Sequence, residues 1–324
     1  MATIKDVAER AGVTVTTVSR VLNNRGYISE ATRRKVYLAM EELDYRPNEL
    51  ARSFHKNSSR LIGLIVPTVA NPFFGELTSY VETSAYEHGY KILICNSHFD
   101  PDQEKQYVEM LKSNLVQGII LGSTPLNVSE FSNLKYPIVT FDYKLFDFPY
   151  IRSDNYEGGR IATELLIRKG CKKLAHICGN LRANMFGVER YQAFQHTASA
   201  YGVETVVVET DTMGVRREDT EAAVRNLFDR HPDVDGVFVS SDLVAYCVMN
   251  RCLEIGKSVP EELKIVGYDN IAITSLVKPY LSTVGQPLQR MAACAVETIL
   301  RQIAGEPIQI DNKFAVELIE RETT

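Results

Sequence analysis

Residues 3 to 22 read Thr3-Ile-Lys-Asp6-Val-Ala-Glu-Arg-Ala-Gly12-Val-Thr14-Val-Thr-Thr-Val-Ser-Arg20-Val-Leu22, and this stretch decides how the N-terminal part folds. Thr3 with Asp6 three residues later has the pattern of a capping box. Ile4, Val7, Ala8 and Ala11 recur at helical spacing as far as Gly12, a residue suited to the turn. Thr14 caps a second short helix over 15–22, in which Val18, Val21 and Leu22 form one apolar stripe. Val15, Thr16, Ser19 and Arg20 point elsewhere. That outward face offers hydroxyls, a guanidinium and an apolar tip, which suit phosphates, guanine edges and thymine methyls. Ser29 caps a third helix with Val36, Met40 and Leu43 on its buried side, and Tyr45-Arg-Pro47 ends it. The pattern predicts a helix-turn-helix. A plain three-helix bundle has the same apolar spacing, so charge must separate the two.

The whole chain has 36 Lys and Arg against 41 Asp and Glu, a formal −5 that by itself argues against nucleic acid. Residues 1–60 nevertheless hold eleven basic and seven acidic side chains, a net of +4, while the remainder carries −9. From Arg10 to Lys35 six cations meet only Glu30 in opposition, the kind of local patch that meets phosphates. A basic head rides on an acidic body.

The body follows a polar link at His55–Arg60. Short apolar runs at Leu61–Val66, Lys91–Cys95, Gly118–Leu121, Ile138–Phe141, Leu174–Cys178, Thr205–Val208, Gly236–Val239 and Lys264–Gly267 alternate with helical segments. Strand, helix, strand repeated twice over predicts an α/β body of two doubly wound lobes with parallel sheets. Ligands of such sheets lie beyond the carboxyl ends of the strands. Those ends carry Asn71, Phe73, Phe74, Asp142, Asp242 and Asp269 among other amides, hydroxyls and aromatics, a set that suits a neutral polyhydroxyl ligand.

Length and composition bound the rest. At 324 residues the chain holds two or three domains, and 45% hydrophobic with 24% charged residues excludes disordered, collagen-like and coiled-coil classes. No apolar run approaches a membrane span and the first residues are not a signal-peptide core, so a cytoplasmic protein is expected. The six cysteines include no C-x-x-C pair. They read as buried thiols, and Cys171, His176 and Cys178 as structural residues with no metal expected. Neither G-x-G-x-x-G after a strand, nor G-x-x-x-x-G-K-[ST], nor G-x-S-x-G occurs, so neither an enzyme nor a cofactor is expected, and Asp142 with Asp269 reads as a hydrogen-bonding floor.

Asp6-Val-Ala, Ala11-Gly-Val, Thr17-Val-Ser-Arg-Val21, Thr32-Arg, Tyr45, Pro47-Asn48 and Leu50-Ala-Arg52 together closely resemble the head and hinge of the LacI/GalR transcriptional repressors. The likeness continues through Asn71-Pro-Phe-Phe74, Gln117-Gly-Ile-Ile120, Ser153-Asp-Asn155, Val266-Gly-Tyr-Asp269 and Gln286-Pro287. It implies a headpiece at 1–46, a hinge helix and linker at 47–60, a first lobe at 61–154 with 286–324, and a second lobe at 155–285 of a periplasmic-binding-protein-like body. It also implies a homodimer on pseudo-palindromic double-stranded operator DNA, with a sugar or sugar phosphate as effector between the lobes. A protein co-repressor, as in the catabolite-control branch, stays open. The DNA set is then Thr14, Val15, Thr16, Thr17, Ser19, Arg20 and Asn23, with Ala51 and Phe54 in the hinge. By position, Arg190 matches the family's effector-binding arginine, Asp269 its polar partner, Asp142 the acid after the fourth strand, and Phe73 and Phe74 the entrance wall, with Asn71 and Asp242 beside them. Phe54 stands where the family has leucine, Ser241 where many members have Asn, and Thr210–Val215 lacks an aromatic that several members place over the ligand. Asn23-Asn-Arg-Gly-Tyr-Ile28, Ile94-Cys-Asn-Ser97 and Ser153-Asp-Asn-Tyr-Glu-Gly-Gly-Arg160 resemble the sucrose-operon branch of Gram-positive bacteria, with the ribose-operon repressors close to it.

Overall fold

The computed structural model describes residues 2–45, 59–111, 113, 116–122, 136–179, 181, 185–210 and 217–324. These fall into two units, residues 1–59 and 60–324.

In the first unit, α1 (Ile4–Ala11) opens with the capping box, both the Thr3 and the Asp6 side chains bonding back to the backbone. It ends at Gly12, whose φ of +64° needs a residue without a Cβ. Thr14 caps α2 (Val15–Leu22) and Ser29 caps α3 (Glu30–Glu42), each hydroxyl accepting from a backbone N–H three residues on. Val7, Ala8, Ala11, Val18, Val21, Val36 and Ala39 are the buried centre, and Leu22, Met40 and Leu43 pack around it. The expected hinge residues Ala51 and Phe54 lie outside the described residues.

The second unit is built on two six-stranded sheets. Its elements run β1 (Leu61–Val66), α4 (Pro72–Glu87), β2 (Lys91–Asn96), α5 (Pro101–Met110), β3 (Gly118–Leu121), β4 (Ile138–Phe141), β5 (Tyr150–Ser153), α6 (Asn155–Arg168) and β6 (Lys173–Gly179). Then come α7 (Met185–Ala200), β7 (Glu204–Thr210), α8 (Arg217–Arg230), β8 (Gly236–Val239), α9 (Asp242–Ile255), β9 (Lys264–Asp269), β10 (Ser282–Gly285), α10 (Leu288–Ala304), β11 (Asp311–Phe314) and β12 (Glu317–Ile319). The first sheet is ordered β11-β5-β4-β3-β1-β2 and the second β12-β10-β9-β8-β6-β7; all pairs are parallel except β10 with β12. Successive strand residues face opposite ways. Ile62, Leu64 and Val66 therefore meet Leu77, Val81, Met291, Ala295 and Ile299 on one face, while Ile65 joins Val108 and Leu111 on the other. In the second sheet, Ala175 and Ile177 pack with Val224 and Leu227, and Leu174 with Leu165, Phe194 and Phe238.

Two features depart from the sequence reading. The 17-residue α10, absent from the expected helices, covers the first sheet with Leu288, Met291, Ala292, Ala295, Val296 and Ile299. The last two strands belong to different sheets: β11 pairs with β5 in the first sheet, and β12 pairs with β10 in the second. The chain passes between the sheets at Ala315 and Val316, so residues 286–324, read as one lobe, are divided between the two sheets. Together with the passages from β5 into α6 and from β10 into α10, this makes three crossings between the lobes.

Candidate nucleic-acid interface and ligand cleft

In the head, a hydroxyl at each helix start binds its own backbone and the reading face is left open. Thr14 Oγ1 accepts from Thr17 N at 3.2 Å and lies 2.9 Å from Thr17 Oγ1, so part of the hydroxyl chemistry expected for DNA is already used in capping. Asn23 likewise turns inward, its Nδ2 donating to Ser19 O at 2.7 Å. Val15, Thr16 and Arg20 are exposed, whereas Thr17, Ser19 and Asn23 are half-buried. Arg20 has no ion-pair partner among the described residues. Its guanidinium lies along Gly26, where an added Cβ would meet Nη2 at 2.6 Å.

The body gathers its candidate residues at the carboxyl ends of the strands. Asp142 follows β4 with φ +50°, and its Oδ1 accepts from Ser153 N at 3.3 Å and Asn155 Nδ2 at 3.2 Å. Arg190, in the second turn of α7, lies with its guanidinium 3.6 Å above the Tyr268 ring. Its Nε donates to Asn155 Oδ1 at 2.6 Å and its Nη1 to Ser240 O at 2.9 Å, while Nη2 is 3.9 Å from Asp142 Oδ2. Asp269 ends β9 with φ +114°, and its Oδ1 accepts from Gln286 Nε2 at 2.8 Å. Ser153 Oγ donates to Gln286 Oε1 at 2.7 Å, so one hydrogen-bonded chain joins a first-sheet strand to a second-sheet one.

Asp142, Arg190 and Asp269 thus come together, but the remaining expected residues do other work. Asp242 is fully buried and both its oxygens are engaged, accepting from Thr283 Oγ1 at 2.6 Å and Ile271 N at 3.0 Å. It ties α9 beneath β9 and β10. Asn71 caps α4, accepting from Phe73 N at 3.0 Å, and Phe73 and Phe74 meet edge to face at 5.1 Å against the first sheet's core. Arg190 does not form an ion pair with Asp269; its nearest carboxylate is Asp142. Asn155, Tyr268 and Gln286, not among the expected site residues, are integral to the arrangement. Each stood inside a quoted motif, and Tyr268 also at a strand end, which was the available signal.

The electrostatics follow from burial. Desolvation raises the Asp142 carboxyl against the pull of Arg190. Asp269 is raised well above the ordinary range by burial and then by the neighbouring Asp242 charge, and burial pushes Asp242 up to about 7. Several acids around one engaged guanidinium suit a ligand that brings donors of its own.

Residues 3–48 match the family model for bacterial regulatory proteins of the lacI family, and 163–324 match that for a periplasmic binding protein-like domain. Over 324 residues the chain is 38% identical to the sucrose operon repressor of Streptococcus mutans, covering all of this chain and 99% of that protein. It is 37% identical over 326 residues to the ribose operon repressor of Halalkalibacterium halodurans, covering all of this chain and 97% of that one. The chain belongs to the lacI family of bacterial regulatory proteins. A solved LacI transcriptional regulator from Alkaliphilus metalliredigens, in complex with D-xylulofuranose, matches with a TM-score of 0.75 and 36% identity over 82% of this chain and 99% of that one.

In this lacI-family regulator two glycines let α6 pack closely within the second lobe. An added Cβ at Gly158 would lie 2.6 Å from the Tyr268 hydroxyl, and at Gly159 2.5 Å from Arg190 O, so α6 reaches β9 and α7 only without side chains there. His176 is buried between Phe194 and Phe238, ring centroids 5.1 and 4.7 Å away, with Nδ1 donating to Phe238 O. All six cysteines are free thiols. Among the described residues no three His, Cys, Asp or Glu side chains gather as metal ligands, and no helix is long and apolar enough to cross a membrane.

Proposed function

We propose that this regulator represses a sugar-utilisation operon and releases its operator in response to a small sugar or sugar phosphate held between its lobes. The observation that carries this reading is the inter-lobe set of Arg190, Asp142, Asp269 and Gln286, held together across the crossings. The S. mutans and H. halodurans relatives are named for sucrose and ribose operons, and the Alkaliphilus neighbour holds a sugar. The protein works in the cytoplasm as a homodimer without catalysing a reaction, each head reading half of a pseudo-palindrome through Val15, Thr16, Ser19 and Arg20. Residues 1–46 form the headpiece. Residues 47–60 form the hinge, with Ala51 small enough for two hinge helices to approach and Phe54 as the wedge between central base steps. Ligand and operator favour different lobe arrangements, and a coupling of about 1–3 kcal/mol suffices to link them.

The test selects a duplex from a random library with the full chain, then measures its affinity with and without each sugar of a panel. Specific binding that weakens about five-fold or more with one sugar supports the proposal. Specific binding unmoved by every sugar, but changed by a second protein, replaces the sugar with a protein co-repressor.

A further inference from the structure

Phosphorylated and unphosphorylated sugars make opposite demands on this cleft. A phosphate ester carries about −1.5 to −2 charges near pH 7 and seeks several free cationic donors, preferably the fork of a guanidinium. An unphosphorylated sugar brings only hydroxyls, each able to donate to a carboxylate and accept from an N–H.

The cations near the cleft are largely engaged. Arg190 donates through Nε and Nη1 to Asn155 and Ser240 and turns Nη2 toward Asp142. Arg152 lies 3.0 Å from both oxygens of Asp311 and reaches Glu189 at 3.2 Å. Arg321, behind Asp269, donates to Asn270 Oδ1 at 2.7 Å, to Leu281 O at 2.6 Å and to Thr274 Oγ1 at 3.2 Å. Against these stand Asp142, Asp269 and the buried Asp242; burial raises the Asp269 carboxyl, and the neighbouring acids add to it. Beside Gln286 and Asp269 opens a cavity of about 280 Å³, lined also by Glu76, which accepts from Ala272 N at 2.8 Å, and by Arg290, whose guanidinium lies 5.5 Å from the centre of the Phe314 ring. Drug-sized ligands occupy pockets of about 300–1,000 Å³, so this space suits a small molecule.

We propose that the cleft selects an unphosphorylated polyhydroxyl ligand over its phosphate ester, and that Asp142 enforces the choice. The inference rests on the sugar reading above. Asp142 has one oxygen held by Ser153 N and Asn155 Nδ2 and the other unbonded at 3.9 Å from Arg190 Nη2. A sugar hydroxyl placed there donates to the free oxygen and accepts from Nη2. A phosphate group in the same place meets a carboxylate that cannot donate to it. Discrimination by a fixed like charge is a common route to specificity.

The experiment titrates the full chain calorimetrically with matched pairs: D-ribose and D-ribose 5-phosphate, sucrose and sucrose 6-phosphate, D-xylulose and D-xylulose 5-phosphate. The unphosphorylated member of the binding pair should be held at least about ten-fold more tightly, a difference of about 1.4 kcal/mol. Asp142→Asn, with its melting temperature checked, should narrow that ratio. Equal or tighter binding of the ester by the unaltered chain overturns the inference and leaves the sugar reading standing. A ratio unchanged in a folded Asp142→Asn removes Asp142 from the role. If no member of any pair binds, the sugar reading itself falls, and this inference with it.

Discussion

The head and the cleft both present polar side chains, yet they handle them in opposite ways. In the head, Val15, Thr16 and Arg20 stand exposed, and the hydrogen bonds that fix the helices come from caps at Thr3, Thr14 and Ser29. In the cleft the guanidinium of Arg190 is already bonded to Asn155 and Ser240 and stacked on Tyr268. A surface that meets a large polyanion can leave its donors to water, because the duplex supplies the acceptors. A pocket for a small neutral molecule has to hold its own geometry, so its polar groups are satisfied before any ligand arrives. Damage to the head's exposed reading face should therefore cost binding alone, and damage to the cleft should cost binding and folding together.

The largest effect expected comes from a fully buried imidazole, that of His176. His176 titrates at about 4 in the fold because burial disfavours its charged form, against an ordinary value of 6.5. Between those values the unfolded chain binds more protons than the folded one, so the His176 contribution is complete above pH 6.5 and is lost as the pH falls toward 4. The raised carboxyls of Asp142, Asp242 and Asp269 act in the opposite sense, since the fold holds their protons more tightly. The measurement must therefore compare His176→Phe with the unaltered chain. Their difference in unfolding free energy should move in the variant's favour by on the order of 3 kcal/mol between pH 7 and pH 4. A constant difference would mean that the imidazole reaches water.

Arg190→Ala comes next. Losing a hydrogen bond from a charged group costs about 1.5–3 kcal/mol, so sugar affinity should fall about ten- to a hundred-fold by calorimetry. The same change leaves Asn155 Oδ1 and Ser240 O without that donor, so the melting temperature should fall too, and the repressor should hold its operator despite the sugar. Weaker sugar binding at an unchanged melting temperature would make the cleft behave like the head and break the contrast.

Arg20→Ala sharpens the other side. Loss of a base-edge contact costs about 1–3 kcal/mol of operator affinity and relaxes preference at one position of each half-site. Binding to duplexes differing at single positions measures it, with an unchanged melting temperature expected. If affinity drops equally for every duplex, Arg20 holds phosphate and does not read a base.

The two regions were also unequally legible. Periodicity and caps gave α1, α2 and α3 almost residue by residue, because a small bundle is held by contacts close in sequence. The apolar strands β1, β3, β4 and β8 were equally plain, since strands buried on both faces read as unbroken apolar runs. The missed strands are short and carry polar or charged residues: β10 is Ser282-Thr-Val-Gly285, and Ser282 and Thr283 are fully buried through bonds such as Thr283 to Asp242. Residues 286–324 read as one lobe because nothing local marks the passage between β11 and β12. The cleft was half legible for the same reason. Asp142, Arg190 and Asp269 drew attention through charge, whereas Asn155 and Gln286 matter only because the crossings bring them together. The 3.6-residue recurrence of α10 from Leu288 to Ile299 is as local a signal as that of α1.

The smallest effect tests whether a head residue can serve folding and binding at once. Thr14 is expected to meet phosphate, yet its hydroxyl accepts from Thr17 N and caps α2. Replacing such a cap with alanine costs roughly 1 kcal/mol. Thr14→Ala should therefore lower the stability of the head and leave the unfolding of the body unchanged, which separates the two transitions in a calorimetric scan. Because the loss loosens the start of the reading helix, affinity should fall slightly and equally for all duplex sequences. Thr14→Ser keeps the oxygen and should restore both properties. If serine restores stability but not affinity, the threonine methyl touches DNA. If alanine leaves stability intact, the Thr14 hydroxyl contributes nothing to the helix start, and the head's caps cannot be what frees its reading face.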